Sequence, residues 1–188
     1  MRKTLILNAS PRAKGDVAAL LSAVKAGLRG PVEELRLFHA RLSPCVDCRR
    51  CAKEPGCAVR DEMDAVYADD YDAVLVAAPV YFEDLPGPLL NVLSRLQAYY
   101  MARLALKSPI SLRPKRGALI LTGGGHGGPE GALKHAAQLL HALNAAGFEA
   151  HTILSLRTDE LPAGEDEAAL SAARALSDWL EGESLAQN

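Results

Sequence analysis

The chain has 188 residues, of which 49% are hydrophobic and 23% are charged, and its formal net charge is -2. This composition is that of a globular protein, and the length suits one domain with a sizeable core. The near-neutral charge argues against a nucleic-acid-binding surface. The first apolar stretch is too short for a signal peptide, and the longest, residues 73–82, is too short to span a membrane. We therefore expect a cytoplasmic protein with neither nucleic acid nor membrane as a partner.

Five segments have the apolar patterns of β-strands. They are residues 4–8, 32–38, 73–78, 117–122 and 149–156. The third and fourth are continuous apolar runs, which are typical of parallel strands that are covered on both faces. We therefore predict a parallel sheet with these two strands in its interior.

Apolar residues at helical spacing lie between and after these strands. They predict helices over residues 17–28, 63–67, 89–96, 133–140 and 169–180, and Pro86 and Pro88 mark the start of the third. No linker or repeat interrupts the alternation of strand and helix. The sequence therefore predicts one three-layer α/β domain over residues 1–188, built on a five-stranded parallel sheet.

The loop after the first strand, NASPRAKGD at residues 8–16, runs directly into a helix. Ligands of open parallel sheets bind at the carboxyl ends of the strands, and free N–H groups at a helix start suit a phosphate. Ser10 could donate a hydrogen bond there, and Arg12 or Lys14 could supply positive charge. The loop is neither GxGxxG nor a Walker motif. The alternative is a polar turn that Asp16 caps.

Two further loops follow buried strands. In PVYFEDLPGP, residues 79–88, Tyr81 and Phe82 could flank a flat heterocycle, or else roof the core. TGGGHGGPEG, residues 122–131, holds six glycines that permit close backbone approach, or else form a flexible tip. His126 within it could donate a hydrogen bond. Together the three loops predict a nucleotide-like cofactor such as FMN, on a flavodoxin-like sheet of order 2-1-3-4-5.

All four cysteines lie in one segment, PCVDCRRCAKEPGC, residues 44–57, which we call the cysteine segment. They are Cys45, Cys48, Cys51 and Cys57. The short gaps let the sulfurs converge, as a [4Fe–4S] cluster requires. Arg49, Arg50 and Lys53 would favour thiolates and offset the charge of a cluster. Zinc, free thiols and disulfides stay open as alternatives.

These segments together resemble the NADPH-dependent FMN reductase-like branch of the flavodoxin superfamily, and within it the iron–sulfur flavoproteins. The resemblance covers roughly residues 5–148. It is carried by NASPRAKGD, the cysteine segment, APVYFEDLPGPLLNVLSRL and LTGGGHGG. It implies FMN as cofactor, NAD(P)H or a ferredoxin-like protein as electron donor, and a homodimer or homotetramer whose partner subunit helps close the flavin site.

The resemblance also implies roles for individual residues. Positions matching Ser10, Arg12, Asp16 and Val17 hold the FMN phosphate in that family. Those matching Pro79, Val80, Tyr81 and Phe82 lie along the isoalloxazine, and those matching Gly123, Gly124, Gly125 and His126 cover its other edge.

The first loop departs from the family pattern G-S-P-R-x-x-G-N-[ST]. Ala9, Asp16 and Val17 replace its Gly, its Asn and its hydroxyl residue. Val17 removes a phosphate donor, and the Asp16 carboxylate would repel a phosphate unless it turns away. Glu83 adds a further acid in the second loop. Weak flavin binding, or a degenerate site, is therefore one expectation.

We predict a flavin-dependent NAD(P)H oxidoreductase that passes electrons to a quinone or another small acceptor, with no side chain assigned as catalytic acid or base. One alternative is an electron-transfer relay that combines FMN with a cluster. Another is a non-enzymatic scaffold whose cysteine segment binds zinc or holds free thiols.

Overall fold

The computed structural model describes residues 1–182. Its strands are β1 (Thr4–Asn8), β2 (Val32–Arg36), β3 (Ala73–Pro79), β4 (Lys115–Gly123), β5 (Ala145–Ala146) and β6 (Thr152–Leu156). Its helices are α1 (Asp16–Gly27), α2 (Asp64–Tyr67), α3 (Gly87–Arg95), α4 (Gln97–Leu104), α5 (Glu130–Ala142) and α6 (Glu167–Glu181). Among these residues, no helix has the length and apolar character that crossing a membrane would require.

The strands form one parallel sheet whose order confirms the prediction. β1 lies between β2 and β3, and β4 follows β3. Two short strands share the position beyond β4: β5 pairs with the start of β4, and β6 pairs with its end. A short 3-10 helix, Phe148–Ala150, separates β5 from β6. The predicted last strand at residues 149–156 is therefore wrong in its first three residues, where the chain turns before it pairs with β4.

Both faces of the sheet are covered, which explains the continuous apolar runs of β3 and β4. On one face, Ile6 and Leu75 pack with residues of α1 and α6. On the other, Leu7 and Val76 pack with residues of α3 and α5. Side chains of alternate residues along a strand thus pack into two separate hydrophobic cores, one on each face of the sheet.

Two elements differ from the predictions. β2 ends at Arg36, because residues 37–40 form a turn. After α3 the chain continues into α4, which the sequence did not predict, with Leu96 between the two helices. The single domain over residues 1–188 stays a prediction, and residues 183–188 lie outside the described part of the chain.

Candidate functional site

The loops that follow β1, β3 and β4 meet at the carboxyl edge of the sheet, where they line a cavity of about 110 Å³ that we call the inner pocket. The first loop contributes Ser10, Arg12, Asp16 and Val17; the second contributes Pro79, Val80 and Tyr81; the third contributes Gly123 and Gly124. The chain thus brings together nine of the thirteen residues predicted to bind the cofactor.

A second cavity of about 400 Å³, the outer pocket, adjoins the inner one. The two pockets share Val80, Gly123 and Gly124. Phe82 and Gly125 line the outer pocket only. Its volume alone falls within the range of small-molecule sites, about 300–1,000 Å³. The pockets therefore form one continuous space along the edge of the sheet.

The start of α1 has no side-chain cap. Oδ1 of Asp16 instead accepts a hydrogen bond from the backbone N–H of Ala163, at 2.9 Å, in the loop before α6. Asp16 therefore does not cap the helix, and its carboxylate is tied to a different loop. The backbone N–H groups of the first turn are left without a side-chain acceptor, at a pocket that Gly15 and Val17 also line.

The first loop is held by local hydrogen bonds around the buried Ser10. Its N–H donates to Oδ1 of Asn8 at 2.9 Å, and its Oγ accepts from the N–H of Arg12 at 3.2 Å. Ser10 thus fixes the shape of the loop. Within residues 1–182, Arg12 is the one cationic side chain that lines the inner pocket.

The second loop is a tight turn from Tyr81 to Asp84, closed by backbone hydrogen bonds in both directions. Phe82 and Glu83 have positive φ angles of 50° and 64°, which cost non-glycine residues about 1–3 kcal/mol each. The carboxylate of Asp84 holds the turn against α5, since its Oδ1 lies 2.7 Å from Nδ1 of His135. That hydrogen bond lowers the pKa of Asp84. The turn is therefore fixed with the Phe82 ring fully exposed.

The loop after β6 also contributes to the inner pocket, which the sequence analysis missed. The backbone N–H of Thr158 donates to the carbonyl of Gly123 at 2.9 Å, and both Thr158 and Asp159 line the pocket. A Cβ atom at Gly124 would lie 2.7 Å from the carboxylate of the exposed Asp159, so a larger residue here would displace that side chain. Since β6 is parallel to β4, its end was bound to reach the same edge, and this topology was the available signal.

Two predicted residues lie outside both pockets. Lys14 is exposed and lines neither cavity. His126 is 82% exposed, with its Nε2 3.8 Å from Glu160. The geometry therefore favours Arg12 over Lys14 as the source of positive charge.

The cysteine segment forms a separate pocket of about 50 Å³ against α3 and α4. All four cysteines line it as free thiols. In the part of the chain that is described, no three His, Cys, Asp or Glu side chains are arranged to hold a single metal ion. The thiols therefore surround one cavity without converging on one point.

The carboxyl end of α3 holds both ends of this segment. The buried Arg95 donates from Nη1 to Oδ2 of Asp61 at 2.8 Å and to the carbonyl of Ser43 at 3.1 Å. Its Nη2 donates to the carbonyl of Val59 at 3.0 Å. Next to it, the hydroxyl of Ser94 accepts from the backbone N–H of Cys45 at 3.1 Å. These contacts fix the positions at which the segment leaves and rejoins the domain.

Arg95 is also the buried cation of the cysteine pocket. Its Nε has no hydrogen-bond partner although the side chain is only 1% exposed. Burial alone would lower the pKa of Arg95, but the hydrogen bond to Asp61 and the nearby Cys57 thiol raise it above its ordinary value. The predicted cations Arg49 and Arg50 form exposed ion pairs with Asp47 and Glu54.

Comparisons with known proteins agree with this architecture. A family model described as NADPH-dependent FMN reductase matches residues 2–156. An iron–sulfur flavoprotein of Archaeoglobus fulgidus is 29% identical over 126 residues, 64% of this chain and 54% of that protein. One of Methanosarcina thermophila is 27% identical over 119 residues, 61% and 60% of the respective chains. The chain thus spans less than two thirds of the length of these two relatives.

Three solved structures illustrate the similarity of fold. Azoreductase AzrA has a TM-score of 0.66 at 22% identity, over 94% of this chain and 99% of its own. Smu.1420 of Streptococcus mutans has a TM-score of 0.71 at 18% identity, over the same shares. An FMN-dependent NADH-azoreductase of Bacillus anthracis, in complex with FMN, has a TM-score of 0.63 at 15% identity, over 96% and 98%. These low identities establish the shared fold alone.

Proposed function

Because the chain belongs to the NADPH-dependent FMN reductase family, we propose that it is a flavin-dependent oxidoreductase with FMN bound along the inner and outer pockets. Reduced nicotinamide, NADH or NADPH, supplies the electrons, and a quinone or another small molecule accepts them. When bound, FMN supplies hydride and one-electron chemistry, while the chain binds and orients it. No side chain is assigned as a catalytic acid or base.

The observation that carries this proposal is the continuity of the two pockets. They share Val80, Gly123 and Gly124, so one ligand can extend from a narrow polar end to a wide outer end. A phosphorylated planar cofactor has this shape. Neither Tyr81, 43% exposed, nor the fully exposed Phe82 fills the space.

The inner pocket has the groups that a phosphate requires. The first turn of α1 offers backbone N–H groups without a side-chain cap, at the positive end of the helix dipole. Arg12 adds a charge-assisted donor. Two acids also line this pocket: Asp159, and Asp16, whose Oδ1 is engaged by the backbone N–H of Ala163. The residues therefore fit the phosphate end of FMN.

The lining of the outer pocket suits the isoalloxazine ring of FMN. Its glycines keep the backbone accessible, and a Cβ at Gly125 would meet nothing within 4 Å. Val80 and Phe82 supply apolar surface, and Glu83 supplies an acid beside Gly127. We expect the isoalloxazine to lie here, with the loop of residues 79–82 along one side.

The first experiment measures flavin binding and turnover. We expect the purified protein to quench the fluorescence of added FMN and to oxidise NADPH or NADH when a quinone is present. Gly124→Ala should weaken FMN binding about tenfold, because its methyl group displaces the Asp159 carboxylate within the inner pocket that both residues line. Gly87→Ala is the matched control, since a Cβ there meets nothing within 4 Å. Protein that binds no FMN would refute the proposal.

We also propose a [4Fe–4S] cluster held by Cys45, Cys48, Cys51 and Cys57. In a cubane cluster each thiolate binds a different iron, so four thiols around one cavity suit it better than they suit one zinc ion. The partnerless Nε of Arg95 suits an anionic occupant. Cluster and flavin would then lie at opposite ends of α3, which is about 12 Å long at 1.5 Å per residue.

With a cluster present, an electron-transfer relay becomes the second candidate function. Its electron donor would be a ferredoxin-like protein rather than NAD(P)H. Anaerobic purification with iron, sulfide and zinc analysis tests the cluster. Bleaching of the flavin by NADPH or NADH alone selects the reductase, and bleaching only by reduced ferredoxin selects the relay. Zinc without iron or flavin selects the non-enzymatic scaffold.

We further propose a homodimer or homotetramer in the cytoplasm. The Phe82 ring at the outer pocket is fully exposed. Exposed apolar surface is often buried in a protein–protein interface, so this ring supports a partner subunit near the flavin site. Size-exclusion chromatography with light scattering measures the oligomer, and a monomer at all concentrations would contradict it.

A further inference from the structure

We propose that Arg95 sets the reduction potential of the iron–sulfur cluster in the cysteine pocket and is its main electrostatic partner in the protein. This inference rests on the cluster proposed above. It assigns a positioning and tuning role to a residue of α3 that lies 38 positions beyond Cys57 in the sequence.

The first observation is the unpaired donor. Nη1 and Nη2 of Arg95 donate to oxygens of Asp61, Ser43 and Val59, whereas no oxygen accepts from Nε and the thiol of Cys57 interacts with the guanidinium. A buried donor without a partner costs about 1–3 kcal/mol, so such groups are rare unless a ligand completes them. Arg95 lines the pocket of the four cysteines, and an anionic sulfur is the acceptor that this pocket would supply.

The second observation is the burial of the charge. The Arg95 side chain is 1% exposed, and its partner Asp61 is 9% exposed. Asp61 does not line the cysteine pocket, whereas Arg95 does. An anion in the pocket therefore lies closer to the guanidinium of Arg95 than to the carboxylate of Asp61. Water screens the interaction little at this depth.

The third observation is the exposure of the other arginines in the segment. Arg49 and Arg50 are 73% and 56% exposed, and each is neutralised by an acid of the same segment. Exposed, paired charges contribute little to a potential inside the protein. Among the described residues of the segment and its neighbours, Arg95 thus has the largest expected effect.

The consequence for electron transfer follows from charge balance. A [4Fe–4S] core with four thiolates carries a total charge of -2 when oxidised and -3 after accepting one electron from a donor such as dithionite. A fixed positive charge stabilises the more negative state. Arg95 therefore raises the reduction potential, which favours uptake of an electron from a donor.

The experiment compares variants after anaerobic reconstitution with iron and sulfide. We expect Arg95→Gln to lower the ratio of reduced to oxidised cluster about tenfold at a fixed solution potential, which equals a shift of about 59 mV for a one-electron couple. Asp61→Asn leaves the charge of Arg95 uncompensated and should shift the potential in the opposite direction. Arg50→Gln, the matched surface control, should leave it unchanged. Iron content and a redox titration followed by visible spectroscopy provide the readouts.

The outcomes separate this inference from the cluster itself. Wild-type protein that takes up no iron refutes the cluster, and this inference with it. Loaded variants whose potentials equal that of the wild type refute the tuning role alone. If a folded Arg95→Gln protein no longer retains iron, or if Arg95→Gln does not fold, Asp61→Asn, which keeps Arg95, decides the question by the sign of its shift.

Discussion

The carboxylate of Asp16 accepts a hydrogen bond from the backbone N–H of Ala163, 2.9 Å away, rather than from the helix it begins. The loop before α6 thereby engages one oxygen of an acid that also lines the inner pocket. The sequence alone left this acid as an obstacle to phosphate binding. The contact that engages it joins positions 147 residues apart.

Asp16→Asn should tighten FMN binding. The asparagine oxygen can still accept from Ala163, while one negative charge near the phosphate is lost. A charge a few ångströms away in a partly exposed site contributes about 1 kcal/mol, so we expect roughly a three- to tenfold lower Kd at low salt. Fluorescence titration measures it, with the exposed Asp178→Asn as control. An unchanged Kd would mean that the carboxylate is already too distant to matter.

Arg12→Ala should weaken FMN binding about 10- to 100-fold and leave riboflavin binding unchanged. Arg12 lines the inner pocket, and a hydrogen bond to a charged group is worth about 1.5–3 kcal/mol. Riboflavin lacks the phosphate and so does not depend on this contact. Lys14→Ala is the matched control, because Lys14 lines neither pocket. Equal losses in the two variants would show a general charge effect instead of a specific contact.

Lys115→Met should destabilise the fold by about 3–5 kcal/mol. The Lys115 side chain is fully buried at the start of β4, where it forms an ion pair with Asp69 and donates to the carbonyl of Leu143 at 3.1 Å. Its removal leaves Asp69 without its ion-pair partner, while the backbone N–H of Arg113 still donates to the carboxylate. Urea denaturation measures the loss.

The paired variant, Lys115→Met with Asp69→Asn, should recover part of that stability because no charge remains unpaired. FMN binding by the folded protein should be unaffected in both, since Lys115 lies at the amino edge of the sheet, opposite the pockets. If the double variant is as unstable as the single one, the lost hydrogen bonds outweigh the unpaired charge.

Glu181 should make stability fall in acid. Burial raises its pKa, but hydrogen bonds from the backbone N–H groups of Gly30 and Arg29, both 2.9 Å, hold the pKa below its ordinary value of 4.5. A lowered pKa stabilises the folded state above about pH 4.5, and this stabilisation disappears as the pH falls through the folded-state pKa. The free energy of unfolding should therefore drop on acidification.

Glu181→Gln tests this assignment by urea denaturation at pH 7 and pH 3. We expect the variant to be about 1–3 kcal/mol less stable than the wild type at pH 7 and nearly equal to it at pH 3. Glu165→Gln, an exposed position, should behave as the wild type at both pH values. A gap that persists at pH 3 would assign the loss to packing rather than to the charge.

The sheet could be predicted from the sequence because its signals are local. The buried runs of β3 and β4 have the pattern of interior parallel strands, and the alternation with helices predicts a parallel sheet. The strand order was predicted from the three ligand-type loops, which are typical of a flavodoxin-like sheet. α4 was missed because its residues continue the apolar pattern of α3, and only packing makes the chain bend at Leu96.

The parts of the site that could not be predicted depend on distant contacts. Asp159 reaches the inner pocket because β6 pairs with β4, and Arg95 reaches the cysteine pocket because α3 packs beside the segment. The sequence analysis offered Lys14 as well as Arg12 for the phosphate, and Arg49, Arg50 and Lys53 for the cysteines, because these cations are close in the chain to the predicted sites. In the folded chain Lys14 is exposed to solvent, and Arg50 forms an ion pair with Glu54. Neither arrangement could be known before the chain is folded.

The residues that precede and follow the cysteine segment are hydrogen-bonded to each other. The backbone N–H of Ser43 donates to Asp61 at 3.0 Å, and the N–H of Glu62 donates to the carbonyl of Arg41 at 3.3 Å. Because the two ends of the segment are already joined, insertions, deletions or exchanges between them cost little loop-closure entropy. They also leave the pairing of β2 and β3 with β1 unchanged. Such a module can be gained or replaced by recombination while the rest of the domain, with its flavin-type pocket, is inherited intact.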